Sequence, residues 1–398
     1  MTKVISVNAG SSSLKFQLYE MPEEKVLTNG IVERIGFDDA IFTISVDGEK
    51  ISKTLAVKDH AKAVDLLLSA LVDHNIVTSL EEIKGAGHRI VHGGEYFSCS
   101  TKVDADVEKK VDELCALAPL HNPGALVGYR AFKDALPHCE HTFTYDTAFH
   151  QTMADDSYIF AVPYEWYTDY KVRRYGAHGT SHQYVSERCA DMLGKPLEET
   201  KIITCHLGGG ASITAIDGGK CINTSMGFTP LGGVMMGTRC GDIDPAIVPY
   251  MMEKLNCTPK EMDTYLNKKS GLLGVSGVSS DSRDITKAIE EGNYRADLAS
   301  RIFINRVVQT VGSYYAQLEG CDAIVFTAGI GENDFDTRAK VCKKLSATLN
   351  IDFDFDKNNG LRGKEAELTK EESKTKVFLI PTNEEVMIAR DCFKVLGF

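Results

Sequence analysis

The sequence predicts an α/β protein of two domains, and three observations carry that reading. Strand-like and helix-like runs alternate along the whole chain, the pattern of sheets covered by helices. The 398 residues suffice for two cores, with no Pro/Gly/Ser linker or low-complexity tract between them. The third is an internal echo. VISVNAGSSSLKFQLYE at 4–20 and KIITCHLGGGASITAIDGGK at 201–220 each run from a strand through a small-residue turn into an alternating strand. Setting Asn8 against His206 aligns Gly10 with Gly208, which points to a duplicated domain with one hairpin per copy.

A turn of Gly and Ser brings backbone N–H groups close to an anion and adds hydroxyl donors. Two such turns facing each other across a cleft are expected to hold a polyphosphate. Neither is a Walker loop, because G-x-x-x-x-G-K-[ST] occurs nowhere. Between the hairpins, residues 59–72 place Val64, Leu67, Leu68, Leu71 and Val72 on one helical face, with Asp59 as cap.

GHRIVHGG at 87–94 sets Arg89 in an apolar strand, where a cation needs a partner: a structural ion pair or an anion. Arg239, in GFTPLGGVMMGTRCGDIDP, is a second isolated arginine, and the planar guanidinium fork suits carboxylate and phosphate. Asp146 ends the strand of HTFTYDTAFHQ, either as a turn residue or pointing into a ligand crevice. His178 and His182 in RRYGAHGTSH have zinc-like spacing, but the Glu of a zincin and a third ligand are missing. A phosphoryl hydrogen bond from His178 and a structural role for His182 are the better readings.

Residues 295–318 predict a long helix before the strand DAIVFTAG. GIGEN at 329–333 then follows a strand as nucleotide-binding turns do, without the third glycine of a dinucleotide fingerprint. IPTNEEVMIARD reads as strand, turn and helix, with Thr382 and Glu385 as a capping box. That accounts for Glu385 and leaves Glu384 either to the helix dipole or to a metal.

The formal charge of −12 argues against a nucleic-acid surface, and no apolar run reaches the length of a membrane span. The N-terminus lacks an export signal. Eleven cysteines without a C-x-x-C pair read as reduced thiols, so a cytoplasmic location is expected.

NAGSSSLK, GHRIVHGGE, HNPG, YDTAFH, RRYG-x-HGTSH, HLG-x-GAS, MGTRCGDIDP, GVSSD, TAGIGEN and PTNEE, in that order, resemble the acetate kinase family across essentially the whole chain. The resemblance implies the duplicated actin-like, ribonuclease H-like ATPase fold, with a nucleotide cleft between two domains. It places residues 1–150, completed by the C-terminal helix 385–398, in one domain and 151–384 in the other. It further implies a homodimer that moves phosphate reversibly between ATP/ADP and acetate by in-line displacement, with Mg²⁺ or substituting Mn²⁺.

Carried over by position, Arg89 holds the acetate carboxylate, and Val91, Leu120 and Pro230 form the methyl pocket. Asn8 and Glu384 serve Mg²⁺, and Lys15 contacts substrate or phosphate. His178 and Arg239 stabilise the transition state, and Asp146 is the assigned acid/base. Because acetate is already ionised, Asp146 more plausibly orders Mg²⁺ or fixes a neighbouring cation. His206, Leu207, Gly208, Gly209 and Gly210 correspond to the nucleotide-phosphate turn. Asp281, Ser282 and Arg283, with Gly329, Ile330, Gly331, Glu332 and Asn333, correspond to the segments around adenosine.

Four positions depart from the family pattern: Ala177 and Ser282 stand for Phe, Gly209 for Asn, and Gly232 for Glu. Ala177 removes a wall beside the acyl pocket, which opens the alternative of a propionate or other short-chain carboxylate kinase. Gly209 and Ser282 leave the phosphoryl donor open. A nucleotide-driven interaction protein of the actin or chaperone type is the remote alternative, and no segment remains here for its extra domain.

Overall fold

The computed structural model describes residues 1–119 and 121–398, so Leu120, expected in the methyl pocket, lies outside the described residues. The chain divides into two compact units, 1–149 with 383–398 and 150–382. This division places Asn383 and Glu384 with the first unit.

The first unit is built on a sheet of β1 (Thr2–Ala9), β2 (Ser13–Met21), β3 (Lys25–Glu33), β4 (Phe37–Val46), β5 (Glu49–Val57), β6 (Ile83–Ile90), β7 (Thr101–Lys102) and β8 (Glu140–Tyr145). Its order is β5-β4-β3-β2-β1-β6-β8-β7, with β1, β6 and β8 parallel and the other pairs antiparallel. The second unit holds β9 (Lys201–Leu207), β10 (Ala211–Asp217), β11 (Lys220–Thr224), β12 (Ala323–Thr327), β13 (Ala366–Glu367) and β14 (Lys376–Leu379), in the order β11-β10-β9-β12-β14-β13. Here β9, β12 and β14 are parallel. Each unit thus repeats one arrangement, an antiparallel three-strand meander continued by two parallel strands. The echo between the two hairpins is the local trace of that duplication.

Each hairpin tip is closed by a backbone bond from its first glycine, with a longer reach along the chain in the first hairpin than in the second. Gly10 N–H donates to the Ser13 carbonyl at 2.8 Å, and Gly208 N–H to the Gly210 carbonyl at 3.0 Å. The helix His60–Asp73 is capped as expected, with Asp59 accepting from Lys62 N–H at 2.8 Å. Val64, Leu67, Leu68 and Leu71 are buried in the first core, but Val72 is 38% exposed. Eight residues past Val64, Val72 has rotated about 80° off the apolar stripe.

The C-terminal helix Glu384–Leu396 packs on β1, β6 and β8. Its fit on β6 requires glycine: a Cβ on Gly87 would lie 2.6 Å from Ile388 Cγ2 and 3.0 Å from the Ile388 carbonyl oxygen. The expected Thr382–Glu385 capping box is not formed. Asn383 is the N-cap and accepts from Val386 N–H at 3.1 Å, while Glu385 pairs with Lys15. Thr382 instead donates to Ser181 Oγ at 2.8 Å. A second correction concerns GIGEN, which is helical: Ala328–Asn333 forms a short helix directly after β12. The expected long helix runs over Tyr294–Gln317.

Candidate active site

In the first unit the parallel strands deliver three side chains to one edge. Asn8 lies at the end of β1, Arg89 is the penultimate residue of β6, and Asp146 follows β8. The C-terminal edge of parallel strands is where an α/β sheet places ligands. Arg89 Nε donates to Asp146 Oδ1 at 2.9 Å and Nη2 to Oδ2 at 2.6 Å, while Nη1 reaches Asn8 Oδ1 at 3.4 Å. Asp146 is 1% exposed and the Arg89 side chain 20%. The ion-pair reading of Arg89 is therefore realised, and one edge of the guanidinium still faces Asn8. Burial works against the Arg89 charge, but Asp146, Glu384 and Glu385 outweigh it and raise the pKa.

Glu384 opens the C-terminal helix beside this group. Burial pushes its carboxyl above the usual range, with Arg89 pulling the other way. Lys15, opposite Asn8 across the hairpin, is half-exposed and pairs with Glu385. The backbone of the turn is held from the side by the helix Asn122–Ala135. A Cβ on Gly124 would lie 2.9 Å from Gly10 C and 3.0 Å from Ser11 N. Asn122 also clamps the loop after Arg89, accepting from His92 N–H at 3.1 Å and donating to its carbonyl at 3.0 Å. Val91 stands half-buried at the start of that loop.

In the second unit the hairpin of β9 and β10 gathers the histidines. His178 caps the helix Gly179–Leu193 in a left-handed conformation, φ 59°, and stacks on His206 with ring centroids 4.0 Å apart. Its Nδ1 lies 2.8 Å from Ser212 Oγ. His182 is fully buried and bonded through both nitrogens, at 2.7 Å to Thr204 Oγ1 and 2.7 Å to Ser212 Oγ, in keeping with its structural reading. Among the described residues no cluster of three or more His, Cys, Asp or Glu could hold a metal.

Arg239 approaches the same turn. An added Cβ on Gly210 would stand 3.3 Å from Arg239 Nη1 and 3.5 Å from His178 Nε2, so the guanidinium and the imidazole converge on the bare face of that glycine. Arg239 Nη1 donates to the Pro230 carbonyl at 3.2 Å and touches Met236 Sδ at 3.7 Å. Among the described residues no carboxylate pairs with it, and burial lowers its pKa. A partly buried guanidinium whose partners among the described residues are a carbonyl and a thioether has N–H groups chemically suited to an anion.

The expected nucleotide segments also meet here. His206 and Thr327 are register partners, and a Cβ on Gly208 would lie 3.8 Å from Gly329 N. Gly237 N–H donates to the Gly209 carbonyl at 3.2 Å, and its own Cβ position is 3.1 Å from the Ser280 carbonyl. Leu207 is fully buried in the core. Glu332 and Asn333 serve the local backbone: Glu332 accepts from Ala328 N–H at 2.8 Å and Thr382 N–H at 3.1 Å, and Asn333 donates to Gly329 O at 3.0 Å.

A family model described as the acetokinase family matches residues 3–390. The chain belongs to the acetokinase family. It is 56% identical over 395 residues to an acetate kinase of Geobacillus sp. (strain WCH70), covering 99% of each chain. It is 54% identical over 395 residues to an acetate kinase of Bacillus subtilis (strain 168), covering 99% of this chain and 100% of the relative. Among solved structures it resembles Porphyromonas gingivalis acetate kinase with a TM-score of 0.95 at 45% identity, covering 100% of both chains. A propionate kinase from Francisella tularensis subsp. tularensis SCHU S4 gives 0.93 at 40%, covering 99% of this chain and 100% of that one.

This acetokinase chain also carries a recess that the sequence did not disclose. Leu272, Ile285, Phe303 and Ile330 wall it, and Ser282, Thr286, Ser300, Asp334 and Thr337 edge it. It joins the two segments expected around adenosine through Ser282 and Ile330. Asp281 caps the helix Ser282–Glu290 by accepting from Arg283 N–H at 2.9 Å, and its carboxylate takes Arg283 Nε at 3.0 Å and Nη2 at 2.6 Å. Arg283 thereby draws the Asp281 carboxyl down to about 2.

Proposed function

We propose that the chain catalyses reversible transfer of the terminal phosphoryl group of ATP to acetate, giving acetyl phosphate and ADP. The observation that carries this reading is the convergence of Arg239 Nη1 and His178 Nε2 on Gly210 in the glycine turn. Family membership supports it across residues 3–390. Acetate arrives ionised, so no base is needed to create the nucleophile. The barrier lies in bringing two anions together in line. Arg89, held on one edge by Asp146, presents its remaining N–H groups to the acetate carboxylate, and Val91, at the start of the loop after that strand, meets the methyl group. Arg239 and His178 gather the charge on the transferring phosphoryl. The turn of His206–Gly210 holds the phosphate chain, and the recess at Ser282 and Ile330 takes the adenine. The segments 281–283 and 329–333 frame that recess.

The oxygen donors of Asn8 and Glu384 fit Mg²⁺, or Mn²⁺, which needs only one or two protein oxygens alongside phosphate and water. A carboxylate whose charge burial penalises is the partner a cation would settle. Bound there, the ion neutralises phosphate charge. Asp146 is a positioning group in this reading, because both its oxygens are engaged by Arg89.

A second copy of the chain is the proposed partner. The helix Ile247–Leu255 supports it, since none of its residues is buried and Ile247, Tyr250 and Leu255 are exposed. A cytoplasmic location is supported by the cysteines, all of which are free thiols.

A preference for propionate, raised by Ala177, is the one second reading, and the acetate kinase relatives at 54% and 56% identity do not favour it over acetate. Ala177 is 3% exposed in the core of the second unit, and its carbonyl lies 2.9 Å from His150 Nε2. Trapping the acyl phosphate with hydroxylamine, with ATP, GTP and pyrophosphate crossed against acetate, propionate and butyrate, tests both readings. Acyl phosphate from ATP and acetate is expected, and none from any combination would sink the proposal.

A further inference from the structure

Building on the acetate reading above, we infer that Asn122 is a positioning residue for the acyl-acid end of the site. Its amide holds the loop after Arg89 in one place, and with it the discrimination between acetate and longer acids. The pairing of β6 with β8 ends where Asp146 N–H donates to the Ile90 carbonyl at 3.0 Å. The chain then leaves the sheet but stays under cover, since His92, Gly93 and Gly94 are all buried. Buried backbone groups beyond a ladder need other partners. Side chains supply them here. Asn122 accepts from His92 N–H at 3.1 Å and donates to the His92 carbonyl at 3.0 Å. Thr147 Oγ1 accepts from Gly93 N–H at 2.9 Å, and His92 Nδ1 accepts from Gly94 N–H at 3.0 Å.

Asparagine is the side chain this clamp requires. Holding both polar groups of one residue takes an acceptor and a donor in one plane, and the two backbone partners fix which end of the amide is oxygen. Aspartate would set an oxygen against the His92 carbonyl, and serine would reach only one of the two groups. Asn122 is 0% exposed and is itself held from behind. It opens the helix Asn122–Ala135, its N–H donates to the Ala118 carbonyl at 3.0 Å, and Tyr129 and Phe132 anchor that helix among buried residues of the first unit.

Val91 therefore lies between two pinned residues, Ile90 bonded to Asp146 and His92 bonded to Asn122. Arg89, two residues before it, is fixed by the same Asp146. The span from the group that holds a carboxylate to the residue that meets its alkyl end is set by bonds on both sides. Telling acetate from propionate rests on one methylene, worth about 10–200-fold in an apolar pocket, and a loop free to shift gives part of that up.

Asn122→Ala removes the clamp, and Thr147→Val loosens Gly93 alone at nearly constant volume. Both are tested in the full chain by steady-state formation of acyl phosphate from acetate and from propionate. In Asn122→Ala, kcat/KM is expected to fall about tenfold for acetate and about twofold for propionate, a fivefold shift in preference, with KM for ATP within about twofold of the wild type. Thr147→Val should shift the preference in the same direction by about twofold. A purely structural role would lower the urea midpoint and scale both acids together, leaving their ratio and every KM unchanged, and that result would overturn the inference. If Asn122→Ala does not fold, an unchanged ratio in Thr147→Val overturns it equally. Amide hydrogen exchange reads the clamp apart from activity: His92 and Gly93 should exchange slowly in the wild type and Gly93 faster in Thr147→Val, and fast exchange in the wild type would contradict the clamp. Failure of the acetate reading looks different, since it would appear as no acyl phosphate from a wild type in which His92 and Gly93 still exchange slowly.

Discussion

Arg89 and Asp146 form a two-pronged ion pair, Nε to Oδ1 at 2.9 Å and Nη2 to Oδ2 at 2.6 Å, in which the acid is 1% exposed. The pair joins the ends of two adjacent parallel strands, because Arg89 lies on β6 and Asp146 follows β8. Its geometry is that of a clamp holding a cation in one orientation.

Asp146→Asn tests the clamp. An amide offers Arg89 one acceptor and opposes its second prong with a donor. KM for acetate is expected to rise about tenfold and stability to fall by roughly 3 kcal/mol, read by steady-state kinetics and urea unfolding. The alkaline and acid limbs of kcat should keep their positions, since no proton moves through Asp146. Loss of one limb in the variant would restore the acid/base role.

Arg239→Lys keeps a charge and loses the planar fork. It is expected to lower kcat about 100-fold in single-turnover measurements. Arg34, bonded to Asp39 on the surface, is the control, and Arg34→Lys should stay within about twofold. Near-normal turnover in Arg239→Lys would remove it from the transition state.

The hairpins, the capped helix after Asp59 and the lone arginines were legible because each is a local pattern: alternation, a cap, a charge in an apolar run. The partners of those residues were not. The bond from Arg89 to Asp146 spans 57 residues, and Glu385 could not be assigned to Lys15 while Thr382 stood at capping-box spacing. Asn383 won the cap by standing one residue closer to the helix. Ser212 gave no signal at all, because a serine inside a strand becomes informative only when two histidines meet it. The recess stayed hidden for a related reason: Leu272, Ile285 and Phe303 read as ordinary core residues until the fold leaves a gap between them.

Gly87→Val addresses the seat of the C-terminal helix. Its Cβ would meet Ile388 Cγ2 at 2.6 Å, so the helix that begins at Glu384 must shift. Overpacking of this kind costs about 1–3 kcal/mol and should appear as a lower urea midpoint. A midpoint unchanged from the wild type would show that the helix is loosely docked.

Glu384→Gln separates the metal from the fold. Removing a carboxylate whose charge is penalised by burial is expected to leave thermal stability equal or higher without Mg²⁺. The rise in melting temperature on adding Mg²⁺ with ADP should vanish. The Mg²⁺ concentration for half-maximal activity should increase by more than the roughly 10–100-fold that loss of an outer hydrogen-bond partner costs. An undiminished Mg²⁺ response in this variant would exclude Glu384 as a ligand.

Asp281→Ala probes the edge of the recess proposed for adenine and carries a pH signature. The side chain caps the helix Ser282–Glu290 and grips Arg283, so its loss should cost about 1 kcal/mol and raise KM for ATP severalfold while sparing KM for acetate. Arg283 holds the Asp281 carboxyl down at about 2, below its value in the unfolded chain. The unfolded state therefore binds the proton first on acidification. The contribution is fully present above the ordinary carboxylate range and drains away as the pH falls toward about 2. Urea unfolding of the two proteins should show a gap that is constant from pH 8 to pH 5 and narrows below pH 4. A gap that widens on acidification would mean that the Asp281 charge does not stabilise the helix.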